Sequence, residues 1–103
     1  MKILTDYQGE KIRLTDERLG HILEHPEMVN MESAIAETLS KPELVIRSKT
    51  DKMTNLNYRY YYSTKVGDKW LCVVVKCAVE DAFVLTAYLT DKPKKGVQLW
   101  PST

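Results

Sequence analysis

Residues Asn57 to Val79 read NYRYYYSTKVGDKWLCVVVKCAV, and the rest of the chain falls into place around this segment. It is rich in aromatic and β-branched residues and carries Gly67-Asp68 near its middle. That pattern predicts two antiparallel strands joined by a two-residue turn, with glycine supplying the positive φ. In the resulting register Arg59 stands opposite Lys76 and Tyr61 opposite Val74. Tyr58, Tyr60 and Tyr62 then share an apolar face with Leu71, Val73, Val75 and Cys77.

Outward from this hairpin, residues 83–90, FVLTAYLT, predict a third strand and residues 44–49, LVIRSK, one that precedes the pair. The predicted strands are therefore 44–49, 57–66, 69–79 and 83–90. A three-residue loop within VEDAF puts Phe83, Leu85, Ala87 and Leu89 on the apolar face, whereas a two-residue loop scatters them, so the hydrophobic pattern selects three. Arg59, Lys76 and Thr86 fall in one row of the opposite face, Tyr61, Val74 and Tyr88 in the next. Arg47 and Lys49 join that face if the first strand turns the same parity outward.

Ahead of the strands the periodicity is helical. Thr15 has the character of an N-cap, Asp16 and Glu17 suit the first turn, and Pro26 halts a helix over 16–25. A second helix follows Asn30, with Met31, Ala34, Ile35, Thr38 and Leu39 as one stripe, and ends at Pro42. KILT and KIRLT around YQGE read as a short hairpin. The expected organisation is a single α+β domain: a hairpin at 1–14, two helices within 15–41, an antiparallel sheet over 43–91 and a coil tail at 92–103. Its expected architecture is two N-terminal helices packed on one face of a four-stranded antiparallel sheet, with the short N-terminal hairpin as an addition.

With 103 residues the chain has room for one core. The opening MKILTDYQGEK has no secretory pattern, and no window approaches the roughly 18 apolar residues of a membrane span, so a cytoplasmic protein without a membrane partner is expected. Cys72 and Cys77, five apart in one strand, point to opposite faces and read as small apolar residues. The net charge of +1 hides a division. Residues 1–46 hold five Lys or Arg against nine acids, a balance of −4; residues 47–76 hold seven against two, a balance of +5; the remainder is neutral. A basic segment joined to an acidic one suggests a surface for a polyanion. Arg59 directly opposite Lys76 would cost stability unless an anion lay between them, and an RNA phosphate is the obvious one.

Helix one places Arg18, His21 and His25 together beside its stripe of Leu19, Ile22 and Leu23. HILEH lacks the HExxH arrangement of a zinc site, so no metal and no other cofactor is expected. A rim histidine bonded to backbone is one reading. Acid–base catalysis is another: His21 takes or gives the proton in cleavage of a phosphodiester by its 2′-hydroxyl, Arg59 and Lys76 offset charge on the phosphorane, and Thr86 and Tyr88 donate hydroxyls.

The order α, α, then four strands, with HILEHPE, KPELVIRS and the late LTAY, resembles the barnase, EndoU, colicin and RelE-like (BECR) ribonuclease superfamily, in particular its small phage-associated or toxin-like branch. The resemblance spans about residues 14–92. It implies a metal-independent endoribonuclease acting on RNA, with an antitoxin or immunity protein as a further partner. Carried onto this chain it implies His21, Arg59 or Lys76, Thr86 and Tyr88 around a cleft; beside them Arg18, His25, Arg47, Lys49 and Tyr61, placed by the helical wheel and the strand parity, are expected to hold RNA. The competing expectation is a non-catalytic module that binds RNA or a protein. The two part on whether His21 reaches the cleft of Thr86 and Tyr88. Oligomeric state is open.

Overall fold

The computed structural model describes residues 1–102, so the last residue of the expected tail lies outside the described residues. The chain is α+β, but the expected sheet of four antiparallel strands is corrected to seven strands in one mixed sheet. The strands are β1 (Lys2–Thr5), β2 (Lys11–Leu14), β3 (Leu44–Arg47), β4 (Thr54–Thr64), β5 (Gly67–Ala78), β6 (Asp81–Thr90) and β7 (Val97–Trp100). Their spatial order is β1-β2-β6-β5-β4-β3-β7. Two departures widen the sheet. The N-terminal hairpin joins it through a parallel contact at Arg13 and Phe83, where the Arg13 guanidinium also makes a bidentate pair with Asp81 and lies 5.4 Å from the Phe83 ring centroid. At the other edge, the segment expected as coil forms β7 antiparallel to β3.

Helix α1 (Asp16–Leu23) starts at Thr15, whose hydroxyl accepts the Arg18 amide at 3.1 Å and satisfies one of the orphan donors of the first turn. It ends ahead of a 3-10 turn at Pro26–Met28, where proline's missing N–H fits the first turn. Helix α2 (Glu32–Ser40) is preceded by Met31 instead of Asn30 in the cap position, because the 3-10 turn runs on and the Met31 amide bonds to the Met28 carbonyl. Ile22, Met28, Met31, Ile35 and Leu39 bury against Leu71, Val73, Val75, Val84 and Ala87, with Ile12 and Leu14 of β2 completing this core.

The central hairpin carries the most consequential correction. β4 and β5 pair with Arg59 opposite Leu71 and Lys76 opposite Thr54, not Arg59 opposite Lys76. Thr64 faces Gly67, so Lys65 and Val66 make the turn, and Gly67 takes its φ of +96° on the strand side of it. A bulge lies in β4, where Tyr62 and Ser63 oppose Asp68 alone and Ser63 takes φ +56°. The slip from the expected register is an odd number of residues, and an odd slip exchanges the two faces of a strand relative to its partner. The helix-covered face of β4 is therefore Asn55, Asn57, Arg59 and Tyr61, while Leu56, Tyr58 and Tyr60 lie on the other.

A second irregularity corrects the next hairpin. Ala78 pairs with Asp81, leaving the two-residue loop Val79-Glu80 that the apolar pattern argues against, with Glu80 at φ +60°. A bulge then restores parity: Val75 pairs with Val84 but Val74 with Thr86, so Leu85 is the extra residue. Val84 and Ala87 enter the helix-side core, and Leu85 passes to the far face.

That far face is not open floor. Ile46, Leu56, Tyr58, Cys72 and Val74 form a second buried cluster, flanked by Leu44, Trp70, Leu85 and Tyr88. The segment Asp91–Gly96 leaves β6 beside Trp70 and rejoins the sheet at Val97 beside Arg47, so it runs as a strap across this face. The Lys94 amide donates to the Tyr58 hydroxyl at 3.0 Å. Gly96 lies so close to the Arg47 carbonyl oxygen and the Ile46 side chain that a Cβ there would overlap both.

Candidate nucleic-acid interface

The residues expected to form one cleft are divided by the sheet. On the helix side, Arg59 donates from Nη1 to the Lys41 carbonyl at 2.7 Å and holds Nε 3.4 Å from the Glu37 carboxylate. Tyr61 donates to the same carboxylate at 2.6 Å. This bond, followed by the nearby Arg59 charge, holds the Glu37 carboxyl below its usual range, while burial and then Glu37 push the Tyr61 phenol up to about 12. The trio binds the last turn of α2 to β4, where the helix's free carbonyls need donors. Arg59 and Tyr61 thus serve as a clamp between helix and sheet.

On the opposite side, Lys76 is paired with Asp51, whose second interaction is with the Met53 amide and third with the Thr54 hydroxyl. These bonds, that of Lys76 first, hold the Asp51 carboxyl down to about 2. Thr86, opposite Val74, is exposed, and Tyr88, opposite Cys72, is half-buried against the second cluster. Burial raises both the Tyr88 phenol and the Cys72 thiol, so neither is poised to lose a proton near neutral pH. The Asp51 effect has a defined sign. A carboxyl lowered in the folded state adds stability above its ordinary range, and that addition disappears as pH falls from there toward about 2. Replacing Lys76 by methionine is expected to raise the Asp51 midpoint toward the ordinary aspartate value, read by an NMR titration of the side-chain carboxyl.

His21 and His25 lie on the helix side, strongly exposed at 66% and 69%, each beside its own carboxylate: Glu24 at 3.9 Å and Glu27 at 3.8 Å. Arg18 reaches the backbone of β6 and donates to the Leu85 carbonyl at 3.3 Å. Arg47 pairs with Asn55 and shares the parity of Arg59, whereas Lys49 lies beyond the end of β3. The structure therefore gathers Lys76, Thr86 and Tyr88 on one face and leaves His21, Arg59 and Tyr61 on the other.

What the sequence reading passed over is the strap. Lys92, Lys94 and Lys95 of DKPKKG are exposed, and among the described residues none has an acidic partner, whereas Lys69 at the strap's origin is paired with Asp91. Beside the strap's start stands an aromatic group on the same face. Tyr60 meets Trp70 edge-on at 5.2 Å between ring centroids and Tyr62 at 5.1 Å, and Tyr58 meets Trp70 at 6.4 Å. Tyr62 is 75% exposed. Such packing holds the rings in fixed orientations at little further entropic cost. Exposed aromatic faces beside unpaired lysines combine base stacking with phosphate attraction. The sequence signal was present in three lysines around Pro93, followed by the strand-like VQLW.

Comparison with known proteins found no matching family model, no matching curated protein and no matching solved structure. No helix among the described residues is long and apolar enough to cross a membrane.

Proposed function

We propose that this chain is a non-catalytic RNA-binding module whose contact surface is the strap face. The observation that carries the proposal is the juxtaposition of Lys92, Lys94 and Lys95, without acidic partners, with the Tyr60–Tyr62–Trp70 group. Single-stranded RNA suits this surface better than a duplex, because splayed bases can lie on exposed rings while the lysines follow the backbone. Cleavage is the weaker reading. It needs a base, an acid and a charge-stabilising group around one phosphorus, and here the helix histidine and the strand arginine lie across the sheet from Thr86 and Tyr88.

The test is fluorescence anisotropy with a labelled single-stranded RNA over a series of salt concentrations. Replacing Lys92, Lys94 and Lys95 together by alanine is expected to reduce the salt slope by about 2 and, from that slope, to weaken binding roughly 50-fold near 0.15 M salt. Tyr62→Ala should remove about 1–3 kcal/mol if a base stacks there. Total RNA incubated with the protein in EDTA is expected to stay intact. Equal binding by the triple variant would refute the surface, and cleavage that disappears in His21→Ala would restore the catalytic reading.

A further inference from the structure

The turn of the N-terminal hairpin and β7 belong to opposite edges of the sheet, yet the Tyr7 and Trp100 rings meet at 5.6 Å. The sheet is coiled strongly enough for the hairpin tip to close over its helix-side face, below the helices. Under that closure lies a cavity of about 340 Å³ with Tyr7, Gln8, Arg47, Lys52, Asn55 and Cys77 in its wall. None of these residues belongs to the strap face.

The charges in this wall are one-sided. Arg47 and Lys52 both face it, and among the described residues neither has an acidic partner. Asp51, next to Lys52 in sequence, is occupied by Lys76, the Met53 amide and the Thr54 hydroxyl. Asp6 approaches from the hairpin near Tyr7 and Cys77, but one of its oxygens accepts the Gln8 and Glu10 amides, both at 2.9 Å, which disperses its charge into the turn. The uncharged groups are a phenol, a Gln8 side-chain amide, and an Asn55 amide whose Nδ2 lies 3.6 Å from the Cys77 sulfur. A guanidinium presents two parallel donors to a tetrahedral anion, and an ammonium adds a mobile point charge. Two cations converging on one concavity without an acid between them repel unless an anion joins them.

We propose that this cavity is a phosphate site that takes a phosphomonoester, with Arg47 as the bidentate donor and Lys52 as its second cation. The cavity is within the size range of small-molecule sites and has room for more than the phosphate alone. The same group could arrive as a free nucleoside monophosphate or as the terminal phosphate of a strand. The site does not depend on RNA binding by the strap, since Arg47 has the parity of the helix side and the strap crosses the other.

The experiment is an amide-resolved NMR titration with AMP, with adenosine, and with a short RNA bearing either a 5′-phosphate or a 5′-hydroxyl. The expected result is saturable shifts at residues 7–8, 47, 52 and 55 with AMP or with the phosphorylated strand, and none there with adenosine. Arg47→Ala and, separately, Lys52→Ala should each weaken the response about tenfold or more, as loss of a charge-assisted bond implies. Both side chains are exposed, so their removal should leave the dispersed spectrum of a folded chain. Saturation by AMP identifies a free nucleotide as sufficient; saturation by the phosphorylated strand alone identifies a strand end. The variant lacking the three strap lysines should respond to AMP as the parent does, which separates this site from the RNA surface. Absence of saturable shifts with either phosphorylated probe, equal shifts with adenosine, or an unchanged response in both single variants would overturn the proposal.

Discussion

Replacing Tyr58 by alanine is expected to destabilise the protein by about 3–5 kcal/mol, the range for emptying a buried aromatic site. Tyr58 is fully buried, and it belongs to the cluster that lies away from the helices. Its ring meets Trp70 at a right angle, and its hydroxyl accepts the Lys94 amide. Loss of the ring therefore removes packing on the sheet and the anchor of the strap together. Burial pushes the phenol up to about 12, so it should ionise late in an alkaline absorbance titration. Tyr58→Phe separates the two contributions: it keeps the ring, removes the acceptor for Lys94, and should cost about 0.5–1.5 kcal/mol. Urea unfolding of the three proteins measures both. A loss below about 1 kcal/mol in the alanine variant would mean that the second cluster contributes little to stability, contrary to its burial.

Replacing Gly96 by valine is expected to detach the strap. A side chain at this position would overlap the Arg47 carbonyl oxygen and the Ile46 methyl, and a backbone atom cannot swing aside as a flexible side chain can. The cost is that of overpacking, about 1–3 kcal/mol, and it falls on one region. Amide exchange at residues 97–100 should accelerate while residues 71–75, held between β4 and β6 beneath the helices, keep their protection. Single-stranded RNA affinity should fall with it, because the strap lysines would lose their fixed place beside Trp70. Unchanged exchange at β7 would show that the close contact at Gly96 is not what seats the strap.

The parts of this fold visible in the sequence are those set by local chemistry. Thr15 before Asp16 and Glu17 marks the start of α1, and Pro26 marks its end, because capping and the loss of an N–H act within one turn. The long strands around Trp70 are equally plain. Parity was harder to read. Moving the turn from Gly67-Asp68 to Lys65-Val66 shifts the pairing by an even number and keeps the faces, but the extra residue at Tyr62-Ser63 of β4 makes the slip odd and exchanges them relative to β5. The extra residue at Leu85 obeys the same limit: an apolar pattern interpreted as an uninterrupted ladder favours a three-residue loop, but a bulge reaches equivalent burial from a loop of two. The bulge at Tyr62-Ser63 decides that Arg59 and Lys76 point to opposite sides, and the one at Leu85 decides which face of β6 carries Thr86 and Tyr88. The parallel join at Arg13 and the seating of Val97–Trp100 on β3 depend on partners distant in sequence, and nothing in KIRL or VQLW alone names those partners.

The strap also orders events during synthesis. A nascent chain that has reached Asp91 contains both helices and every strand that packs beneath them, so the helix-side core can close on its own. The surface around Tyr58 and Ile46 cannot, because its cover is made from the residues that follow. Until those residues leave the ribosome, a partly made molecule displays a sticky aromatic face to its surroundings, the kind of surface on which chaperones act and aggregates begin.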